Sequence, residues 1–183
     1  MPGDFSFRKK KTTMKNDLSI IRHKELNRME LAETLKKELV RHLPLPDPIV
    51  LTEETPISEA IQKMQEAGRG CILVARDGRL IGLVTERDIL VKYLGQPGKT
   101  FFTLREIMTT DPKKLSPDAS LEKAIQAMSE GGYRHIPLVD QENQICGVVA
   151  VRNIVNYIAE HFPTEVFNLP PRLEQKMESP EGA

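Results

Sequence analysis

The sequence has few cysteines, no excess of either charge and no long apolar run. Two cysteines, Cys71 and Cys146, cannot form a disulfide framework, so we expect a reducing, cytoplasmic environment. Lys+Arg and Asp+Glu both number 26, and a formal net charge of zero argues against nucleic acid or an anionic membrane as a partner. No apolar run approaches the roughly 18 residues of a membrane-spanning helix. The basic residues near the N-terminus are not followed by the apolar stretch of a secretory signal.

Motifs typical of enzymes and metal sites are also missing. The sequence has no GxxxxGK phosphate loop and no Ser/His/Asp or paired-carboxylate arrangement. Cys71 and Cys146 lack CxxC spacing, so we expect both to be buried free thiols within strands rather than metal ligands. We therefore expect no catalytic activity, no metal and no required cofactor.

Composition and periodicity divide the chain into segments. Apolar residues recur at three- to five-residue spacing over 17–43, which predicts an amphipathic N-terminal helix, and three prolines then end it. The predicted segments are a disordered basic tail (1–16), the helix with its Pro-rich connector (17–47), a first repeat (48–98), a second repeat (105–162) and a loose C-terminal tail (163–183).

The repeat is visible as matching residues at a nearly constant separation. Pairs 64 residues apart are Ile57 and Leu121, Ala60 and Ala124, Ile61 and Ile125, Met64 and Met128, and Gly68 and Gly132. One extra residue in the second turn shifts the separation to 65, which pairs Gly82 with Gly147, Val84 with Val149, Arg87 with Arg152, and Ile89 with Ile154. Such agreement indicates two copies of one structural unit.

Each copy predicts the order β-α-β-β-α. Helical apolar spacing follows a short extended piece, a Gly ends the helix, and two apolar strands flank a turn before the last helix. In the first copy that turn is Asp77-Gly78, a hairpin signal. The predicted last helices are Glu86–Leu94 and Val151–Ile158. Neither copy can bury its sheet alone, so we expect an α+β fold in which the copies pack by a pseudo-two-fold.

Several motifs follow one another in a characteristic order. The second copy contains Arg105–Pro112, Ser116–Ser120 and Tyr133–Asp140 with the following Gly147–Val149, and the first copy contains the closing motif Gly82–Asp88. Over about Pro48 to Ile158 the sequence resembles a tandem CBS-domain module of the stand-alone bacterial type. The resemblance implies a non-catalytic regulatory module that binds an adenine nucleotide or related adenosyl ligand between the repeats. It also implies an energy or metabolite sensor, a homodimer formed through the helices of the repeats, and an unidentified protein target.

The closing motif of the first copy carries one half of the expected site. Thr85 and Asp88 can form a capping box, with Thr85 as N-cap and Asp88 at N3. By resemblance, Asp88 holds the ribose and Thr85 lies near the sugar and phosphate, a role that the capping box does not exclude. Gly82 and Arg87 belong to the same motif and are included in the expected site.

The central strand of the second copy carries the other half. Arg134 can bind a phosphate through two hydrogen bonds, and His135 can add a donor. Ile136 and Pro137 are expected to form an apolar wall for adenine. The alternative is that Arg134 and His135 are surface groups at the start of a strand. We expect Thr85, Asp88, Arg134 and His135 to share one cleft.

The reciprocal cleft lacks these groups. Ala150 and Asn153 stand where Thr85 and Asp88 do, and Gly70 and Cys71 stand where Arg134 and His135 do. We expect at most a weak second site there. The alternative function is an interaction or assembly module that keeps the fold and binds no nucleotide.

Overall fold

The computed structural model describes residues 25–95 and 103–163. The chain divides into a central unit, 32–155, and a terminal unit made of 1–31 and 156–183. In the terminal unit the rings of Tyr157 and His161 stack with centroids 4.2 Å apart. The predicted basic tail, the first part of the predicted N-terminal helix and nearly all of the predicted C-terminal tail lie outside the described residues.

The predicted β-α-β-β-α order is confirmed in both copies, although the extended piece predicted at Lys114–Leu115 is only a bridge at Leu115. Helix α1 covers residues 25–37. Repeat one contains β1 (Val50–Leu51), α2 (Ile57–Ala67), β2 (Cys71–Arg76), β3 (Arg79–Thr85), the short helix α3 (Glu86–Asp88) and a π-helical segment (Ile89–Leu94). Repeat two contains a 3-10 helix (Leu104–Glu106), β4 (Thr109–Thr110), α4 (Leu121–Gly131), β5 (His135–Val139), β6 (Ile145–Ala150) and α5 (Val151–His161).

The strands form two sheets with matching registers. One sheet has the order β1-β2-β3-β4, and the other pairs β5 with β6. Leu51 pairs in parallel with Val74, and the equivalent Leu115 forms a parallel bridge with Leu138. Strand β4 pairs with β3 of repeat one, so the segment that enters repeat two completes the sheet of repeat one.

Local sequence signals explain where these elements begin and end. Gly68 and Gly132 cap α2 and α4 in the left-handed conformation, with φ of 60° and 65°. The Ser120 side chain accepts a hydrogen bond from Lys123 N, as expected for an N-cap. Asp77 and Gly78 both have positive φ, which is the type I′ hairpin geometry that their sequence predicts.

The segment that leads into each repeat contacts the other repeat. Val40 N donates to Ala119 O at 2.9 Å, and the equivalent Leu104 N donates to Thr55 O at 3.0 Å. Equivalent ion pairs join Arg41 to Asp118 and Arg105 to Glu54. Each entering segment therefore docks on the other repeat, and the pseudo-two-fold relates the two docking contacts.

Two expectations from the sequence are wrong. The N-terminal helix ends at residue 37 rather than 43, because Leu39 bridges to Ser120 and Val40–His42 form a 3-10 helix in the docked segment. Cys71 is buried, but Cys146 is exposed. The β6 register explains this: Gly147 and Val149 point to the buried side, and Cys146 faces the other way.

One hydrophobic core cluster contains residues from both repeats. Leu73, Leu80 and Leu83 of repeat one pack with Val139 of repeat two, and the partly buried Val148 packs against them. At the hairpin ends Leu80 N donates to Asn143 O, and Ile145 N donates to Gly78 O. These contacts fix the position of the cleft between the two repeats.

Candidate nucleotide site between the repeats

The closing motif of repeat one forms the predicted capping box. The Thr85 hydroxyl accepts a hydrogen bond from Asp88 N at 3.3 Å, and Asp88 Oδ2 accepts from Thr85 N at 2.9 Å. The Thr85 hydroxyl also donates to Asp88 Oδ2 at 2.6 Å. The end of β3 and the first turn of α3 thus hold both side chains in fixed positions.

Asp88 is also held by a cation from the following turn. Lys92 Nζ lies 2.7 Å from Asp88 Oδ1, and the Asp88 side chain is only 14% exposed. Burial favours the neutral acid, but the hydrogen bonds from Lys92 and Thr85 outweigh that effect and lower the pKa of Asp88. The carboxylate is therefore ionised at neutral pH and able to accept hydrogen bonds from hydroxyl groups.

The two predicted halves of the site line one cavity of about 350 Å³. From repeat one it is lined by Gly70, Leu83, Thr85, Glu86, Arg87 and Asp88, and from repeat two by Thr109, Asp111, Pro112, Lys113, Gly132, Tyr133, Arg134 and His135. We call this the main cavity. It brings together Thr85, Arg87, Asp88, Arg134 and His135, as the two sequence motifs predict.

The turn between α4 and β5 positions the second half. Tyr133 N donates to Met128 O and closes the end of α4, and Arg134 O accepts from Val151 N. His135 then begins β5, opposite Ala150. Burial, together with nearby Arg152 and Arg134 and against the influence of Glu86, lowers the pKa of His135. At neutral pH His135 is therefore an uncharged donor or acceptor rather than a cation.

Gly70 provides the space that His135 occupies. A Cβ atom at position 70 would lie 3.4 Å from His135 Cε1 and 3.3 Å from Glu86 Oε2. Gly70 is the counterpart of Arg134, so the two copies do not both carry a large side chain at this place. A larger side chain at position 70 would therefore crowd His135 and Glu86.

Several lining residues were missed in the sequence. The segment that leaves β4 contributes Asp111, Pro112 and Lys113, and Thr109 lies on β4 itself. Asp111 adopts φ of 44°, uncommon for a residue other than Gly, which turns the chain along the cavity. The repeated Asp-Pro at 47–48 and 111–112 is a signal that could have indicated this segment.

Three predicted site residues do not line the main cavity. Ile136 is fully buried and Pro137 is buried too, because both lie within β5, so neither forms the expected adenine wall. Gly82 pairs with Thr110, and Met108 Sδ would lie 2.6 Å from a Cβ atom at this position. Gly82 thus allows close packing of the entering segment rather than lining the cavity.

The reciprocal cleft contains a much smaller cavity of about 40 Å³. Its lining includes all four residues expected for a weaker site, Gly70, Cys71, Ala150 and Asn153, together with Pro46, Asp47, Pro48, Ile49, Arg69, His135, Val148 and Arg152. Asn153 Oδ1 accepts from Ala150 N at 2.9 Å, which keeps one half of the capping box. His135 and Gly70 line both cavities, so the clefts share a wall.

Comparison with known proteins identifies the family. The sequence profile of the CBS domain matches residues 32–95 and 104–160, which together make up more than half of the chain. The chain belongs to the CBS domain family. CBS domain proteins are generally regulatory, non-catalytic modules.

Curated relatives share the CBS repeats but differ in length. The CBS domain-containing protein YhcV of Bacillus subtilis is 35% identical over 98 residues, which cover 54% of this chain and 69% of that protein. A 33.4 kDa protein of Thermofilum pendens is 32% identical over 114 residues, 62% of this chain but only 37% of the relative. This chain thus spans little more than a third of that longer protein.

Solved CBS domain pairs have the same fold. The pair from protein MJ0100, in complex with 5′-methylthioadenosine and S-adenosyl-L-methionine, has a TM-score of 0.62 at 24% identity and covers 67% of this chain and 96% of that chain. CBS domain protein PAE2072 from Pyrobaculum aerophilum, complexed with AMP, has a TM-score of 0.59 at 21% identity and covers 67% of this chain and 98% of that chain. At these identities the likeness establishes the shared fold.

The described residues contain neither a membrane-spanning helix nor a cluster of metal ligands. Within 25–95 and 103–163, no helix is long and apolar enough to cross a membrane. Over the same ranges, no three His, Cys, Asp or Glu side chains come together in a way that could hold a metal ion.

Proposed function

We propose that this CBS domain pair is a regulatory module that binds one adenine nucleotide, or a related adenosyl ligand, in the main cavity. The observation that carries the proposal is the meeting of Asp88 from repeat one and Arg134 from repeat two around one cavity of about 350 Å³. Pockets for small ligands commonly have about 300–1,000 Å³. The AMP and adenosyl complexes of structurally similar CBS pairs support the same class of ligand.

Each part of the ligand has a chemically suitable group in the cavity. Asp88 accepts a hydrogen bond from the ribose, and Arg134 with Lys113 provides positive charge for phosphate. Tyr133 is 43% exposed at the cavity, and its ring offers a stacking surface for adenine. His135 is uncharged and donates one hydrogen bond to the ligand, between its adenine and its phosphate. The ligand therefore bridges the repeats, and its binding shifts the equilibrium between two arrangements of them.

The asymmetry of the clefts supports a single ligand per chain. The reciprocal cavity of about 40 Å³ is much smaller than any nucleotide. Ala150 and Asn153 supply neither the hydroxyl of Thr85 nor the charge of Asp88. We therefore assign sensing of an energy-linked or other adenosyl metabolite to the main cavity alone.

A thermal-shift screen tests the function. AMP, ADP, ATP and S-adenosylmethionine are added separately to the wild type, to Asp88→Ala and to the matched control Asn153→Ala. A ligand at 100 times its Kd should add about 2.7 kcal/mol to the free energy of unfolding of the wild type and the control. Asp88→Ala should lose about half of this gain or more, since one hydrogen bond to a charged group is worth about tenfold in affinity. The absence of a shift with every ligand would favour the alternative, an assembly module in which Thr85 and Asp88 serve only as a helix cap.

A homodimer through the helices of the repeats is part of the proposal. Leu90, Val91 and Leu94 on the π-helical segment are 58–63% exposed, beside an apolar groove of about 440 Å³ along α2. A second copy of the chain would cover this face. Sedimentation should give a dimer for the wild type and a monomer for Leu90→Glu with Leu94→Glu. We also propose that the protein is cytoplasmic and that a protein target distinguishes its ligand-bound form from its ligand-free form.

A further inference from the structure

Lys92 contacts both the nucleotide-facing carboxylate and the segment that enters repeat two. Its Nζ lies 2.7 Å from Asp88 Oδ1 and donates to Ile107 O at 2.9 Å. It also lies 3.4 Å from Thr109 Oγ1, and Thr109 lines the main cavity. Lys92 itself is not a lining residue. It therefore sits behind the cavity wall, between a group from each repeat.

The contacts of Asp88 leave few positions for a ligand. A carboxylate has about four acceptor positions, two on each oxygen. Thr85 N and the Thr85 hydroxyl use both positions on Oδ2, and Lys92 uses one on Oδ1. Within the described residues, one position on Oδ1 is left.

We propose that Lys92 is a positioning residue that restricts Asp88 to one ribose hydroxyl and links this contact to the segment that enters repeat two. This inference rests on the proposed function, because it concerns how the same cavity reads its ligand. A ribose that forms a hydrogen bond to Asp88 Oδ1 shares that oxygen with Lys92. The other ribose hydroxyl finds no acceptor on this carboxylate.

The local fold and the second repeat support a specific role for Lys92. It lies in the π-helical segment Ile89–Leu94, and π-helical turns in proteins often occur at functional sites. Tyr157 stands at the equivalent sequence position of repeat two, where Asn153 replaces Asp88. The charged pair is thus confined to the repeat that contributes the carboxylate to the main cavity.

Binding measurements with AMP, 2′-deoxy-AMP and 3′-deoxy-AMP test the restriction. In the wild type, removal of one hydroxyl should weaken binding about tenfold, the loss of one hydrogen bond to a charged group, and removal of the other should change it less than about twofold. Lys92→Met frees a second position on Oδ1, so the two analogues should bind about equally. Lys92→Arg should restore the difference. Equal losses in the wild type, or an unchanged ratio in Lys92→Met, would overturn the inference.

A measurement without ligand separates this inference from the proposed function. Lys92→Met should raise the pKa of the Asp88 carboxyl, followed by carbon NMR, and Lys63→Met should not. Lys63 is a matched control, since it pairs with Glu59 at the same helical spacing and is similarly exposed. The charged groups that surround Asp88 are Glu86, Arg87, Lys92, Asp111, Lys113 and Arg134, with His135 neutral. An unchanged Asp88 pKa in Lys92→Met overturns the inference even if AMP binds. A raised pKa without AMP binding instead overturns the proposed function, and with it the ribose restriction, while the Lys92–Asp88 contact stands.

Discussion

Replacement of Asp88 by alanine should destabilise the ligand-free protein more than replacement of Asn153, its counterpart in repeat two. Asp88 accepts two hydrogen bonds from Thr85 and pairs with Lys92, whereas Asn153 accepts one hydrogen bond from Ala150 N. Loss of a helix cap costs about 1 kcal/mol, and a partly exposed ion pair adds roughly 0.5 kcal/mol. We therefore expect about 1.5 kcal/mol for Asp88→Ala and at most about 1 kcal/mol for Asn153→Ala.

Urea denaturation at pH 7 measures both losses, and thermal unfolding should show a decrease of about 5 °C for Asp88→Ala. Because the folded protein lowers the pKa of Asp88, the stability that its charge provides is present above the pKa of an unfolded aspartate. That contribution is lost as the pH falls through the lower pKa of the folded state. The difference between the wild type and Asp88→Asn should therefore be constant near neutrality and vanish only in strong acid. Equal losses in Asp88→Ala and Asn153→Ala would refute the assigned contacts.

Three further predictions concern the cleft and the helix ends. Gly70→Leu should abolish nucleotide binding in calorimetry, because the leucine side chain would enter the space between Glu86 and His135. Circular dichroism should show that the variant is folded, and an unchanged affinity would contradict the position of the main cavity. His135 has a lowered pKa, so its neutral form stabilises the fold above the pKa of an unfolded histidine, and that stability is lost as the pH falls. His135→Gln should therefore flatten the pH dependence of the free energy of unfolding in urea between about pH 5 and 7. The same pH dependence in the variant and the wild type would contradict burial of the ring. Ser120→Ala should cost about 1 kcal/mol by loss of the hydrogen bond from Lys123 N, with Ser129→Ala in the same helix as a control expected to cost less.

Much of the fold follows from local signals in the sequence. The glycines at the ends of α2 and α4, the Asp77-Gly78 turn and the Thr85 cap each specify a backbone conformation without help from distant residues. The nearly constant separation between matching residues then predicts two equivalent units. The cavity that joins Thr85 and Asp88 to Arg134 and His135 followed from the packing of such a pair around a two-fold axis.

The remaining features depend on contacts between distant segments, which the periodicity of the sequence does not specify. Residues 38–43 continue the apolar spacing of a helix, but pairing with 117–121 of repeat two replaces helical hydrogen bonds. Ile136 and Pro137 carry apolar side chains suited to either a core or a ligand wall, and only the β5 register decides that they are buried. Lys92 reaches Asp88 across one helical turn, and the sequence does not indicate its second contact with Ile107.

Calorimetric titration of the purified chain with AMP, or with whichever adenosyl ligand raises the melting temperature most, tests the central claim most directly. We expect one site per chain, with affinity unchanged in Asn153→Ala and weakened about tenfold or more in Asp88→Ala. Two equivalent sites per chain, or full binding by Asp88→Ala, would contradict the assignment of the ligand to the main cavity.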